Sequence, residues 1–150
     1  GAAAVGLFLS VLLHEFGHAL AARRYGYGIQ SITLWLFGGV AQFEENPDDW
    51  RAELVIAVAG PAVSVGLGLG FGAVTRAVSL PDTAAFVVGY LALMNVVLAA
   101  FNMLPGFPMD GGRVLRALLA SSYSYPKATM IAADVGKLFA FLMGFVGILA

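Results

Sequence analysis

The sequence predicts an all-α polytopic membrane protein, with about four transmembrane helices and a small membrane-dipping β-hairpin between the first and the second. Three observations carry this. Of the 150 residues 60% are hydrophobic and 11% charged, against roughly 25% charged in an ordinary soluble domain. Uncharged runs from Leu54 to Val74 and from Ala84 to Met109 each exceed the ~20 residues that cross a hydrocarbon core as helix. The pair Gly38-Gly39 sits between stretches containing Ile32, Thr33, Trp35 and Val40, the pattern of two β-prone segments meeting at a tight turn.

The first helix covers about Gly1 to Tyr25 and is apolar apart from His14, Glu15 and His18 until it reaches Arg23 and Arg24. The following segment is too apolar for water at Trp35, Leu36 and Phe37. Backbone at membrane depth must be paired or line a cavity, so the hairpin is expected to dip into the bilayer beside the first helix. Asn46 as cap, Pro47 at the first helical position and the acids Asp48 and Asp49 near the positive dipole end start the second helix, which runs to about Val78. Its Gly66, Gly68, Gly70 and Gly72, with Ala59-Gly60-Pro61, suit close packing between membrane helices. A third helix runs from Thr83 to about Asn102, where NMLPGFPMDGG, with two prolines and three glycines, must break it. A fourth spans Ala128 to Ala150.

Strict alternation of these spans places Arg23, Arg24, Arg51, Arg113, Arg116 and Lys127 on one side and Arg76 on the other, which makes the first side cytoplasmic by the positive-inside rule. Trp35, Trp50 and the tyrosines Tyr25, Tyr27, Tyr123 and Tyr125 suit an interfacial belt. The absence of cysteine excludes disulfides and thiolate metal sites. A net charge of −1 argues against a nucleic-acid partner. No repeat or linker divides the chain, so one compact domain over 1–150 is expected. The chain opens GAAAVG, inside an apolar run and without a basic leader, and reads as the core of a longer protein lacking flanking transmembrane segments. Oligomeric state has no signature here.

His14 and His18 are four apart, about 40° around a helix, so their rings share one face and can grip one ion. In H-E-x-x-H this spacing supplies two zinc ligands and a carboxylate able to take a proton from water. A charged side chain at the bilayer centre costs about 2.5–3.5 kcal/mol, so such residues are by default functional and partnered. The competing reading is a hydrogen-bonded core pair or a helix end in water; for the trio His14, Glu15 and His18 the metal reading is favoured. Catalytic zinc takes three protein ligands and keeps one open position. With no cysteine and two histidines in the chain, the third ligand must be a carboxylate. Glu44, Glu45, Asp48, Asp49 and Glu53 belong to a helix start, Asp82 to a turn on the far side, and Asp134 can pair with Lys137. Asp110 alone ends a long apolar run inside a helix break, where a side chain can point into a cavity.

HEFGH at 14–18 followed by NMLPGFPMDGGRVLRALL at 102–119, with Phe37-Gly38-Gly39 and Ala59-Gly60-Pro61 between them, resembles the site-2 protease family of intramembrane zinc metalloproteases over most of the chain. Around Asp110 it looks most like members that carry a CBS-domain pair after the membrane core. The resemblance implies that His14, His18 and Asp110 bind one zinc per chain and that Glu15 is the catalytic base. It implies hydrolysis of peptide bonds within transmembrane segments of substrate proteins, within or near the lipid bilayer, usually after a first protease has trimmed them; the charge bias places the active site toward the cytoplasmic side. Fuller members have a further helix on either side of this core. For substrate binding, Asn102 is a candidate to hold a carbonyl, and the hairpin edge at Gly38 and Gly39 a candidate to pair with an unwound substrate strand. Two other readings compete. A metal transporter needs polar groups spread across the membrane, where the second and third helices offer little beyond Ser64 and Asn95. A non-catalytic metal-binding scaffold would not need the complete set of catalytic residues present here.

Overall fold

The computed structural model describes residues 1–27, 29–35, 38–43 and 49–149, with side chains for 1–27 and 49–149. Helix α1 is Ala2–Arg24, α2 Trp50–Ala77, α3 Asp82–Asn102, α4 Asp110–Ala120 and α5 Tyr125–Leu149; strands β1, Ile29–Trp35, and β2, Gly38–Phe43, lie between α1 and α2. Four of the helices, α1, α2, α3 and α5, are long and apolar enough to cross a membrane.

Local chemistry sets the element ends. At the end of α1 Gly26 takes φ +83°, a conformation open to a residue without Cβ. The Gly26 N–H donates to the Arg23 carbonyl and the Tyr27 N–H to the Ala22 carbonyl, the paired bonds that close a helix on a left-handed glycine. Arg23 and Arg24 in the last turn complement the helix dipole. Asp49 caps α2 by accepting from the Arg51 N–H at 3.1 Å. After Asn102 the chain turns through bonds from Met103 to Ala99 and from Met109 to Gly106, around two prolines that have no N–H to give. A Cβ on Gly111 would stand 2.3 Å from the carbonyl oxygens of Met103 and Leu104, so glycine there lets the first turn of α4 lie directly on that loop.

Helix α2 is the hub, packing against α1, α3 and α4, while α5 packs on α4. The interior is made of small and polar groups: Ala22, Ala57, Ala117, Ala128 and Ala132 are fully buried, and so are Glu53, Ser64 and Asn95. Large apolar side chains face outward, with Phe86 at 71%, Phe141 at 73% and Ile148 at 84% exposure. A water-soluble domain distributes these the other way; hydrocarbon outside and small residues between helices is the arrangement of a multi-pass membrane protein, which this chain is.

The expected fold class needs correction. The described residues form five helices, four of them candidate spans and the fifth, α4, an 11-residue amphipathic segment that sequence reading merged into a helix break. A membrane-dipping hairpin is not supported. The two strands pair antiparallel, but the pairs nearest the turn are Trp35 with Gly38 and Leu34 with Gly39, so the glycines lie inside β2 and do not form the turn between strands. Side chains of both strands, and residues Leu36 and Phe37, lie outside the described residues, and no membrane-dipping element is carried forward. The cap of α2 is Asp49 and its first residue Trp50; Asn46 and Pro47 lie outside the described residues. Asp110 is the first residue of α4, beyond the break.

Candidate metal centre

Helix α1 carries His14 and His18 one turn apart on its inward face, and α4 brings Asp110 to meet them across 92 residues of chain. All three are buried, at 2%, 3% and 8% exposure. His14 Nε2 and His18 Nε2 each lie 3.1 Å from Asp110 Oδ2 and 3.2 Å from each other. Three potential ligand atoms thus form a nearly equilateral triangle.

The far side of each imidazole is held by α2. His18 Nδ1 is 2.7 Å from the Ile56 carbonyl oxygen, which can only accept, so the ring proton sits on Nδ1 and Nε2 presents a lone pair. His14 Nδ1 meets the Ser64 hydroxyl at 2.9 Å, which in the same tautomer accepts from it. Two imidazole lone pairs and a carboxylate oxygen then face one another with no donor between them. That set is repulsive unless a proton or a metal cation sits among them. Tetrahedral zinc with ligands at about 2.0–2.1 Å spaces them roughly 3.3 Å apart, close to what the triangle shows. The residues fit zinc.

Packing leaves His18 little freedom. A Cβ on Gly60 would fall 2.2 Å from His18 Nε2, so α2 presents bare backbone to the ring. Pro61 follows at once and withdraws one N–H from the adjoining turn of α2. Gly17 likewise meets the Ala59 carbonyl, where a Cβ would lie at 2.8 Å, so α1 and α2 pack backbone to backbone beside the site.

Glu15 is buried at 4% exposure and within electrostatic reach of His18, His14, Asp110 and Arg113. Burial alone would raise the Asp110 carboxyl, but His14 and His18 outweigh it and hold it at about 2, so it stays an anion. Arg113, half-buried in the first turns of α4, is pushed down from its usual value by burial, with Asp110 and Glu53 opposing. Carboxylates therefore accommodate a cation so near a ligand.

The structure unites His14, Glu15, His18 and Asp110. It does not bring the other candidates to them in the same way: the Asn102 amide donates to the Leu98 carbonyl in its own helix at 3.0 Å, and Gly38 and Gly39 belong to β2. Sequence reasoning missed the supports. Ser64 stood out only as a rare polar residue, Gly60 only as part of Ala59-Gly60-Pro61, and a backbone acceptor such as Ile56 leaves no trace in a side-chain pattern.

A helical membrane core with a buried two-histidine, one-aspartate cluster beside a glutamate defines a metal-dependent hydrolase class. The chain belongs to Peptidase family M50, which it matches over residues 2–81 and 77–143. It is 42% identical over 144 residues to a zinc metalloprotease of Methanocaldococcus jannaschii, covering 96% of this chain and 42% of that one. Stage IV sporulation protein FB of Bacillus subtilis is 29% identical over 139 residues, 92% of this chain and 47% of that one. The solved site-2 protease from Methanocaldococcus jannaschii superposes with a TM-score of 0.81 at 42% identity, over 97% of this chain and 66% of the other. The resemblance to the site-2 proteases holds, and the kinship supports a zinc metalloprotease; nothing in it favours a metal transporter or a scaffold. The chain spans less than half the length of these curated relatives.

Proposed function

We propose that this chain is the catalytic core of an intramembrane zinc endopeptidase, in which His14, His18 and Asp110 hold the metal and Glu15 is the general base. The observation that carries the reading is the convergence of three ligand atoms within 3.2 Å of one another beside a buried glutamate, inside a bundle whose outer surface is apolar. Zinc bound there supplies a Lewis acid that polarises the scissile carbonyl and makes water acidic enough to ionise near neutral pH.

The protein's own groups do the rest. The Ile56 carbonyl holds His18 in the tautomer that leaves Nε2 free, and the Ser64 hydroxyl can accept from His14 Nδ1 in the same tautomer. Glu15 accepts the proton of the attacking water and returns it to the departing amine, so that the C–N bond breaks with no net proton consumed. A substrate helix hydrogen-bonds its carbonyls internally, so it must unwind locally before one can be attacked. The substrate class is therefore a transmembrane segment with a locally unwound stretch, and the bilayer is the medium. Arg23, Arg24, Arg51, Arg113, Arg116 and Lys127 share one end of the alternating spans, which supports an active site toward the cytoplasmic side.

The test is incubation of the purified chain with a transmembrane peptide, with and without a zinc chelator. Cleavage lost with chelator and lost in Glu15→Gln supports the proposal. Metal flux into liposomes that survives Glu15→Gln, without cleavage, would replace it with a carrier.

A further inference from the structure

We propose that Glu53 and Arg116 are positioning residues for the metal centre: their buried ion pair fastens α4 to α2 and so sets where Asp110 meets the two histidines. The inference rests on the reading of His14, His18 and Asp110 as the zinc ligands, and concerns residues that touch none of them.

Helix α4 packs chiefly on α2 and α5, whereas the histidines Asp110 must reach lie on α1. Its attachment to α2 therefore controls the position of the third ligand. That attachment is electrostatic at its centre. Glu53 is wholly buried in the first turn of α2, and Arg116 Nε donates to Glu53 Oε1 at 2.8 Å, with Nη2 donating to the same oxygen. The guanidinium also lies over the Phe107 ring, 5.5 Å from its centroid, in the loop that leads into Asp110. One arginine thus ties together α2, the break after α3, and α4. The second carboxylate oxygen, Glu53 Oε2, and the Tyr125 hydroxyl at the start of α5 are both buried, and the two residues interact. The carboxylate therefore sits where three helices meet.

A buried ion pair is a poor device for stability, because desolvation offsets most of its attraction, and its attested use is to specify one arrangement over others. An apolar contact would let α4 slide or rotate by fractions of an ångström. A hydrogen-bonded pair permits one register. For a ligand on the first turn of an 11-residue helix, that register decides whether Oδ2 completes the triangle.

The test measures zinc affinity of the purified chain by competition with a chromophoric chelator, and the visible spectrum of the cobalt(II)-substituted protein, which reports ligand geometry. Helix content by circular dichroism serves as the folding control. Glu53→Ala and Arg116→Ala are expected to weaken zinc binding by roughly 10- to 100-fold, the range seen when groups that orient ligands are removed, and to shift the cobalt bands. Arg116→Lys is expected to recover part of the loss. The double variant is expected to be no worse than the worse single, as a pair acting as one unit requires. If the alanine variants do not fold, the isosteric Glu53→Gln carries the test and is expected to fall between parent and Arg116→Lys. Parental affinity and spectrum in folded Glu53→Ala and Arg116→Ala, or in Glu53→Gln where those fail, would overturn the proposal; so would losses that multiply in the double variant. His14→Ala separates this from the parent reading: zinc binding unchanged in His14→Ala refutes the ligand assignment itself, whereas binding lost in His14→Ala and intact in the Glu53 and Arg116 variants refutes only the positioning role.

Discussion

Gly60 of α2 lies against the imidazole of His18, so close that a single added carbon would fall 2.2 Å from Nε2 and 2.6 Å from Cε1. The ring is gripped between this bare backbone and the Ile56 carbonyl 2.7 Å from its other nitrogen. A proposed metal ligand is thereby oriented by a residue with no side chain.

Gly60→Ala should accordingly displace His18. Overpacking of this kind costs about 1–3 kcal/mol in stability, and the ligand set should suffer more than the fold. Chelator competition should show zinc affinity at least ~10-fold lower, with helix content by circular dichroism close to parental. Gly66→Ala, where a Cβ meets nothing within 4 Å, is the matched control and should behave as parent.

Ser64→Ala removes the partner of His14 Nδ1 without crowding the helix interface. The imidazole is then free to rotate or to carry its proton on Nε2, where it opposes a cation. Zinc affinity should drop by roughly 10- to 100-fold, visible as faster metal loss to a chelator at unchanged thermal stability of the apo protein.

Glu15→Gln keeps the shape of the side chain and removes its basicity. Zinc content by atomic absorption should match the parent, while peptide cleavage falls by about 10²–10⁴, the share a positioned acid–base group contributes. Loss of zinc together with activity would instead make Glu15 a ligand.

The sidedness is open to direct measurement because the chain has no cysteine. In oriented vesicles, Arg24→Cys should react with a membrane-impermeant maleimide from the cytoplasmic face, and Asp82→Cys, at the start of α3, from the opposite face. The reverse pattern would invert the proposed topology.

What could be read before any coordinates depended on whether the signal was local. The helix carrying His14, Glu15 and His18 was legible because a four-residue spacing and an apolar surround both belong to one segment. The meeting of Asp110 with the histidines was reached by exclusion, each other acid being given a commonplace role; Asp134 does pair with Lys137 at 3.1 Å on the surface, whereas Glu53, read as part of a helix start, is buried against Arg116. The start of α4 was not, because Asp110-Gly111-Gly112 has the composition of a turn, and those glycines serve to pack a helix onto the preceding loop. Gly38-Gly39 misled for a related reason. Two glycines permit a turn without requiring one, and pairing of Trp35 with Gly38 puts them in a strand. Asp49 is the cap of α2, and a stretch rich in Asn and Asp offers several equally good capping residues in sequence. The supports at Ser64 and Ile56 lie 50 and 38 residues from the rings they hold, and no sequence periodicity links them.

The most direct measurement is zinc K-edge X-ray absorption on the purified, zinc-loaded chain and on its Asp110→Asn and His18→Ala variants. Zinc held by His14, His18 and Asp110 should show nitrogen and oxygen neighbours at about 2.0–2.1 Å with the multiple scattering of two imidazoles, reduced to one or abolished in His18→Ala and weakened in Asp110→Asn. A parental spectrum and full zinc content in both variants would place the metal elsewhere and refute the ligand assignment.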